Sequence, residues 1–331
     1  MTRNPAPLLR LDGLSVAFGG VDVVRDIHLT VAPGEAVGMV GESGCGKSVT
    51  WLGMLGLLPR QATVRGSARL ADASAGSIEL VGAASATRDR IRGGRIAMIF
   101  QDPASALNPV HTVGRQVMES LKLHRGLRGN AARTEARRLF DQVGIPDAAR
   151  RLDAYPHELS GGQNQRAMIA MALAGQPELL IADEPTTALD VTIQAQILDL
   201  LNALRQETGM ALVLISHDLG VVSETCDRVA VMYAGRIIEE APTAAFFARP
   251  AHPYASGLLD ALPPLDGPRQ PLRAIPGQVP AAGARPPGCS FAPRCPYCET
   301  ACTTAEPALT PREPGHLAAC RRDPLPEARA A

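Results

Sequence analysis

The chain has 331 residues, 46% of them apolar, and its 33 lysines and arginines balance 33 aspartates and glutamates. This length allows about two domains with a sizeable core, and a net charge of zero lacks the basic surplus of proteins that mainly bind nucleic acid. No apolar run approaches the roughly 18 residues of a membrane-spanning helix, and residues 1–10 lack the apolar stretch of a secretory signal. We therefore expect a protein that stays in the cytosol and has no nucleic acid partner.

The N-terminal part of the chain predicts strands and one helix. Apolar alternation indicates strands at residues 8–18 and 23–31, and the continuous apolar run 36–40 indicates a strand buried on both faces. A helical pattern then covers residues 47–58 and ends before a proline. Short strand signals follow over residues 62–100.

The middle of the chain predicts a helical block inserted into an alternating pattern. Residues 102–176 are mostly helical with arginine-rich faces, and strand signals return at 178–182, 210–216 and 228–233. Between the first two of these strands, residues 191–207 repeat isoleucine and leucine at helical spacing. Strands that alternate with helices predict an α/β fold with a mainly parallel sheet covered on both faces.

The C-terminal part differs in composition from the rest. We place a domain boundary between residues 1–262 and 263–331, because the second range is rich in proline, glycine, alanine and arginine and predicts a small, poorly cored extension. Five of the seven cysteines lie in this extension: Cys289, Cys295, Cys298, Cys302 and Cys320. In a chain without a secretory signal, such a cluster favours a metal over disulfides.

A glycine-rich loop predicts a phosphate site. Residues 41–48 match the pattern G-x-x-x-x-G-K-[ST] at every fixed position, between a buried strand and a helix. The candidate nucleotide ligands in this loop are Gly41, Glu42, Ser43, Gly44, Cys45, Gly46, Lys47 and Ser48. Backbone N–H groups of such a loop surround phosphate oxygens, the lysine adds a positive charge, and the hydroxyl of Ser48 suits Mg²⁺. The pattern predicts nucleotide binding without specifying a reaction.

Two adjacent acids end the apolar strand 179–182. They are Asp183 and Glu184. Because burying a carboxylate is costly, packing alone does not explain why two acids stand at the end of so apolar a strand. Asp183 suits the Mg²⁺ shell, directly or through water, and Glu184 suits the general base that activates an attacking water.

A second anion-binding device precedes a later helical stretch. Residues 159–163 read Leu-Ser-Gly-Gly-Gln, in which the serine is a good helix N-cap and the glycines let an anion approach the helix. The candidate ligands here are Ser160, Gly161, Gly162 and Gln163. This pentapeptide is the signature of the ATP-binding cassette (ABC) ATPases, which the chain resembles over about residues 8–250.

This resemblance implies a fold and a mode of assembly. The fold is the P-loop ABC cassette, with a RecA-like mixed-sheet core, an antiparallel β subdomain and a helical subdomain inserted at about residues 102–176. The family also implies that two cassettes pair, so that the signature of one closes over ATP held by the phosphate loop of the other. The second cassette would be a copy of this chain or a related protein.

The resemblance also implies further site residues. Phe18 is similar to the aromatic residue that stacks on adenine, and Gln101 to the glutamine that contacts Mg²⁺ or water and links the site to the transmembrane partner. His217 is similar to the histidine that contacts the γ-phosphate. Residues 187–190 match the loop that communicates between the two nucleotide sites, and Asp190 is its acidic member.

Two regions resemble one branch of the family, the oligopeptide/dipeptide (and nickel) importers. They are residues 101–109 and, in the C-terminal part, residues 252–254, 275–277 and 289–296. The branch implies an ATPase that energises uptake of di- and oligopeptides from the cytoplasmic face of the membrane. Its partners would be a second ATPase subunit, two permease subunits and an extracytoplasmic substrate-binding protein. The alternatives are the same motor for nickel or another small solute, a soluble ABC ATPase, or a metal-sensing regulator.

In this branch four cysteines hold a [4Fe–4S] cluster in some members. The matching residues are Cys289, Cys295, Cys302 and Cys320, with Cys298 as an alternative ligand. Zinc is a second interpretation, and free thiols or disulfides are a third. The implied cofactors are therefore ATP and Mg²⁺, with the cluster as a further hypothesis.

Overall fold

The structure, a computed structural model, describes residues 6–102, 106–186, 190–262 and 274–322. It divides into two compact units. Unit 1 comprises Met1–Pro7, Val31–Glu35 and Ala83–Ile215. Unit 2 comprises Leu8–Thr30, Ala36–Gly82 and Ser216–Ala331. None of the described helices has both the length and the apolar character to cross a bilayer.

The strands are, in chain order, β1 (Leu9–Phe18), β2 (Val21–Val31), β3 (Ala36–Val40), β4 (Ala62–Asp72), β5 (Gly76–Glu79), β6 (Ile96–Ile99), β7 (Leu179–Asp183), β8 (Ala211–Ser216), β9 (Arg228–Tyr233), β10 (Arg236–Pro242), β11 (Thr310–Glu313) and β12 (His316–Ala318). The helices are α1 (Lys47–Met54), α2 (Ser85–Ile91), α3 (Val113–Arg125), α4 (Gly129–Gln142), α5 (Ala148–Arg151), α6 (Gly161–Leu173), α7 (Val191–Thr208), α8 (Leu219–Thr225), α9 (Thr243–Ala248), α10 (Pro253–Asp260) and α11 (Thr300–Thr304).

Unit 1 contains a parallel sheet of β6, β7 and β8. Ile96 pairs with Leu179, and Leu179 pairs with Ala211, so the three strands start level with one another. Every residue of β7 and β8 is buried, as expected of parallel strands covered on both faces. The predicted parallel strands are confirmed here, and the carboxyl end of β7 places Asp183 at one edge of this sheet.

Helices α3 to α6 of unit 1 lie within the predicted helical block at residues 102–176. Helices α3 and α4 each bury one apolar stripe, which includes Val117 and Leu121 on α3 and Leu139 and Phe140 on α4. Their arginines lie mostly on the exposed faces. The block is thus held together by one buried stripe per helix, which the sequence pattern indicates.

An ion-pair network on α4 makes the stability of unit 1 sensitive to acid. Hydrogen bonds from Arg138 and, against the opposing effect of burial, from Arg125 lower the pKa of Glu135 to about 2. A carboxylate with a lowered pKa stabilises the fold fully above its unfolded pKa of about 4.3, and this stabilisation is lost as the pH falls towards 2. We expect the free energy of unfolding to fall less steeply between pH 4.5 and pH 2 in Glu135→Gln, measured by urea unfolding. Parallel pH curves for the two proteins would contradict this expectation, and Asp141→Asn on the same helix serves as the control.

Unit 2 contains two sheets. The first is antiparallel in the order β2-β1-β4-β5. In the second, β3 pairs parallel to β9, and β10 then continues the sheet antiparallel to β9. The hairpin of β11 and β12 extends this sheet beyond β10. The predicted combination of a mixed sheet and an antiparallel sheet is confirmed.

Three sequence expectations need correction. Helix α1 ends at Met54 instead of residue 58, because Gly56 has φ +62°, a left-handed conformation that does not continue a helix. Helix α2 lies where only strands were expected. The described part of the C-terminal extension is better cored than expected, since Phe291 is 2% exposed and Ala318 is fully buried. These side chains share the core of unit 2 instead of forming a core of their own.

Candidate functional site

The phosphate loop of unit 2 joins β3 to α1. Gly41, Gly44 and Gly46 have φ values of +150°, +77° and +107°, in the range that favours glycine. A Cβ atom on Gly41 would lie 2.2 Å from the carbonyl oxygen of Met232, so close packing also requires glycine there. A bent loop of this kind places backbone N–H groups at a helix N-terminus, which is an arrangement that binds phosphate.

Lys47 begins α1 and is only 6% exposed. Its Nζ donates to the carbonyl oxygens of Gly41 (2.7 Å) and Glu42 (3.1 Å). Carbonyl oxygens satisfy these hydrogen bonds but carry no net charge, so a phosphate oxygen offers the ammonium group a stronger partner. The lysine is therefore already placed over the loop that it is predicted to serve.

Three other predicted residues of unit 2 are partly or fully exposed, and Cys45 is buried. Phe18 is the last residue of β1 and is half-buried. Ser48 is also half-buried, in the first turn of α1. His217 directly follows β8 and is exposed. Burial raises the pKa of the Cys45 thiol, so this side chain is a neutral group within the loop.

In unit 1 the structure brings the two candidate catalytic side chains into contact. Asp183 ends β7 and is 7% exposed, and Glu184 follows it. The carboxylate of Glu184 accepts a hydrogen bond of 3.0 Å from Nε2 of Gln101. Glu184 also has φ +46°, a conformation uncommon outside glycine that clusters at functional sites.

The signature sequence forms the start of α6. Oγ of Ser160 accepts from the N–H of Gln163, and Oε1 of Gln163 accepts from the N–H of Ser160, both at 3.2 Å. This reciprocal capping box satisfies backbone groups at the helix start. Ser160 and Gly161 are exposed, whereas Gly162 packs close to Ile193 of α7. The signature therefore combines a rigid helix start with a surface that a second chain can reach.

Asp190 caps the neighbouring helix α7. Its Oδ1 accepts from the N–H of Ile193 at 3.0 Å, and its side chain is exposed. Because Gly162 packs on Ile193, the starts of α6 and α7 lie side by side in unit 1. Residues 187–189 of the predicted communication loop lie outside the described residues, as do residues 103–105 of the importer-like segment.

Two residues that sequence reasoning did not assign contact the phosphate loop. Oη of Tyr254 accepts from the N–H of Glu42 at 2.8 Å, and Arg294 donates to the carboxylate of Glu42 at 3.0 Å and 3.2 Å. Tyr254 lies in the importer-like segment 252–254, and Arg294 lies in the segment 289–296. That resemblance was the signal in the sequence that could have pointed to these two residues.

The cysteines of the extension line a cavity in unit 2. Cys289, Cys295, Cys302 and Cys320 all contribute to its wall. Burial raises the pKa of Cys289, Cys295 and Cys320, that of Cys295 to about 11, which keeps these thiols neutral. Cys298 is exposed.

The predicted metal site does not find support in this arrangement. Among the residues that the structure describes, no group of three or more histidines, cysteines or acids is placed to hold a metal ion. All seven cysteines are free, so the disulfide interpretation does not apply. The four thiols contribute to the wall of one cavity, but no three of them are placed to share a metal ion, and the arrangement differs in this way from the expected cluster.

Two family models match the chain. Residues 24–187 match the model described as ABC transporter, and residues 238–302 match the model described as oligopeptide/dipeptide transporter, C-terminal region.

The chain is similar in sequence to proteins named for peptide transport. A Brucella abortus (strain 2308) protein, provisionally named a peptide import ATP-binding protein, is 52% identical over 310 residues, covering 92% of this chain and 92% of that protein. The oligopeptide transport ATP-binding protein OppD of Mycobacterium bovis is 49% identical over 332 residues, covering 98% of this chain and 53% of OppD.

The fold is also similar to a solved cassette. The ATP-binding cassette MJ0796, in a dimeric post-hydrolysis state bound to ADP and Pi, has a TM-score of 0.62 and 27% identity, covering 71% of this chain and 98% of that one. These similarities confirm the resemblance and the cassette fold that the sequence motifs indicated.

Proposed function

This chain belongs to the ABC transporter family of ATP-binding subunits, and from that premise we propose that it powers the import of di- and oligopeptides. The observation that carries the peptide assignment is the match of residues 238–302 to the C-terminal region of oligopeptide/dipeptide transporters. The names of the relatives from Brucella and Mycobacterium support it. Nickel or another small solute is the alternative cargo for the same ATPase.

The proposed ATP-binding residues are those of the phosphate loop together with Phe18. The backbone of residues 41–46 and the ammonium group of Lys47 hold the phosphates, and the ring of Phe18 stacks on the adenine. Mg²⁺, when bound, neutralises charge on the β- and γ-phosphates. The oxygen donors of Ser48, Asp183 and Gln101 suit this cation, which prefers oxygen ligands.

The proposed chemistry is hydrolysis by an activated water. The water oxygen forms a bond to the γ-phosphorus while the bond from phosphorus to the bridging oxygen breaks, and ADP leaves with that electron pair. Glu184 takes the proton from the water, and the hydrogen bond from Gln101 (3.0 Å) orients its carboxylate. His217 contacts the γ-phosphate.

We further propose that two cassettes pair and share each ATP. The support from this chain is the exposed serine-glycine start of α6, which is rigidly capped and open to a partner. Ser160 to Gln163 of one cassette would then contact the ATP held by the phosphate loop of the other, and Asp190 would lie beside that contact.

If two cassettes pair in this way, Ser160→Ala should reduce ATP hydrolysis without changing the ATP affinity of the isolated chain. We expect steady-state ATP hydrolysis to fall about tenfold or more, since the lost hydroxyl serves the ATP of the partner cassette. ATP affinity of the isolated chain should stay unchanged, and loss of the cap should cost about 1 kcal/mol of stability. The measurements are ATPase rates, nucleotide titration and thermal unfolding.

Thr112→Ala is the matched control for this variant. Thr112 caps α3 through a hydrogen bond from the N–H of Arg115 (3.4 Å), so its loss also removes a helix cap. We expect it to lose stability and keep its ATPase rate. An equal loss of ATPase activity in both variants would mean that Ser160 acts through helix stability alone.

The proposed setting is a membrane complex. The chain would lie at the cytoplasmic face of the membrane, with a second ATPase subunit, two permease subunits and an extracytoplasmic substrate-binding protein. Purifying the intact complex and identifying the ligand on its binding protein tests the cargo. In proteoliposomes, uptake of labelled peptides and no uptake of labelled nickel is the expected result, and the opposite pattern would overturn the peptide assignment.

For the cysteine cavity we propose a [4Fe–4S] cluster, with zinc as the alternative. Four thiols on one cavity are a suitable donor set by their chemistry, although they would have to move together to bind it. Iron and sulfide should be found in anaerobically purified protein. Their absence would exclude the cluster, and the further absence of zinc would leave the thiols free.

A further inference from the structure

The C-terminal extension reaches the phosphate loop through one buried arginine. Nη1 of Arg294 donates to both carboxylate oxygens of Glu42, at 3.0 Å and 3.2 Å, across 252 residues of sequence. The side chain of Arg294 is 6% exposed and that of Glu42 is 31% exposed. Glu42 is the second residue of the phosphate loop, so this ion pair links the extension to the loop whose backbone is proposed to bind ATP.

Several groups of the extension and of β9 hold the guanidinium in place. Nε of Arg294 donates to the carbonyl oxygen of Pro276 (2.8 Å), and Nη2 donates to those of Ile275 and Gly277 (both 3.4 Å). Nη1 also lies 3.3 Å from Oη of Tyr233. A planar guanidinium with this many partners is fixed before it meets its carboxylate, so little further entropy is lost in the pairing.

The backbone of Glu42 is held from a second direction. Its N–H donates to the hydroxyl of Tyr254 at 2.8 Å. The Tyr254 ring is fully buried and lies 4.6 Å from the ring of Tyr233 and 5.4 Å from that of Phe291, measured between centroids. Glu42 is therefore constrained through both its backbone and its side chain by residues outside the loop.

A carboxylate in this position presents an electrostatic problem. ATP carries several negative charges, and an uncompensated acid in the loop that binds them would weaken binding by repulsion. Arg294 compensates this charge and directs the carboxylate towards the extension. We propose that Arg294 is a positioning residue of the ATP site, which holds Glu42 so that the phosphate loop is formed and the negative charge of this carboxylate is compensated before ATP arrives.

The test is a double-mutant cycle on ATP affinity, measured by titrating the full-length chain with a fluorescent ATP analogue. Arg294→Ala should weaken binding about tenfold to hundredfold, because a buried charged hydrogen-bond partner is lost and Glu42 is left unpaired. In the Glu42→Gln background the same change should cost less than about threefold, since no unpaired charge remains. An equal loss in both backgrounds would overturn the proposal.

Two further measurements separate positioning from folding. The loss caused by Arg294→Ala should shrink at high salt, because repulsion between Glu42 and ATP is screened, whereas a purely structural defect would not depend on salt in this way. Arg294→Lys keeps the charge but loses the Nε and Nη2 donors that hold the guanidinium on the carbonyl oxygens of the extension, and it should restore part of the affinity. Absence of both effects would also contradict the proposal.

Arg285→Ala is the matched control in the extension. Arg285 donates to the backbone carbonyl oxygens of Asp22 (2.6 Å) and Val23 (3.2 Å) in the same unit. Its loss should lower stability and leave ATP affinity unchanged. Because ATP affinity does not depend on the transported cargo, this experiment stands apart from the tests of peptide import.

Discussion

Glu184→Gln should reduce the rate of ATP hydrolysis by about 10²–10⁴-fold and leave ATP binding intact. Glutamine cannot accept the proton of the attacking water, which is the reason for the loss. Its side-chain oxygen can still accept the hydrogen bond that Gln101 now donates to Glu184 at 3.0 Å, so the geometry of the site should persist. Single-turnover and steady-state hydrolysis, together with nucleotide titration, measure the two effects separately.

A second readout for this variant is its assembly state. If the proposed pairing joins two copies of this chain, ATP should hold them together when hydrolysis is blocked, so size-exclusion chromatography with ATP should show more dimer for Glu184→Gln than for the unmodified chain. Glu178→Gln is the control, since Glu178 precedes the same strand and forms an ion pair with Arg95. If Glu184→Gln kept near-normal turnover, Glu184 would not be the general base.

Lys47→Ala should weaken ATP affinity by about tenfold to hundredfold. Lys47 is 6% exposed as a residue, and its ammonium group already lies over the phosphate loop, with carbonyl oxygens at 2.7 Å and 3.1 Å. Removing it leaves the β- and γ-phosphates without their nearest fixed positive charge from the loop. Nucleotide titration measures the affinity, and hydrolysis at saturating ATP shows how much of the defect is binding.

The second lysine of the chain provides a matched control for Lys47→Ala. The chain contains two lysines, Lys47 and Lys122. Lys122 lies exposed on α3, in unit 1. Lys122→Ala should bind ATP as tightly as the unmodified chain. Unchanged affinity in Lys47→Ala would contradict the phosphate-loop assignment.

The sequence motifs predicted the local structure of most parts of the candidate site. The loop at residues 41–48, the acidic end of β7 and the capped start of α6 all lie where their patterns indicated. Each pattern depends on neighbours within a few residues: glycines with positive φ, an apolar run that ends in acids, and a serine that caps a helix. Such local requirements can be read without knowing the fold.

The contacts between distant residues could not be predicted in this way. The hydrogen bond between Gln101 and Glu184, and the ion pair between Arg294 and Glu42, join residues 83 and 252 positions apart. A glutamine after a strand or an arginine in a proline-rich tail has no local pattern that names its partner. The cysteine cluster differs from these contacts because it has a clear sequence pattern. Among the described residues, however, that pattern does not correspond to a metal-binding arrangement.

By itself the sequence therefore determined the family, the cassette fold and the chemistry of the candidate phosphate loop, because short-range backbone geometry and side-chain chemistry specify them. Only the tertiary structure decided which charges meet. Burying a guanidinium is costly unless hydrogen-bond acceptors surround it, and here the phosphate loop supplies a carboxylate, β9 a hydroxyl and the extension carbonyl oxygens. Packing brought them together, and this made the extension a part of the phosphate loop's surroundings.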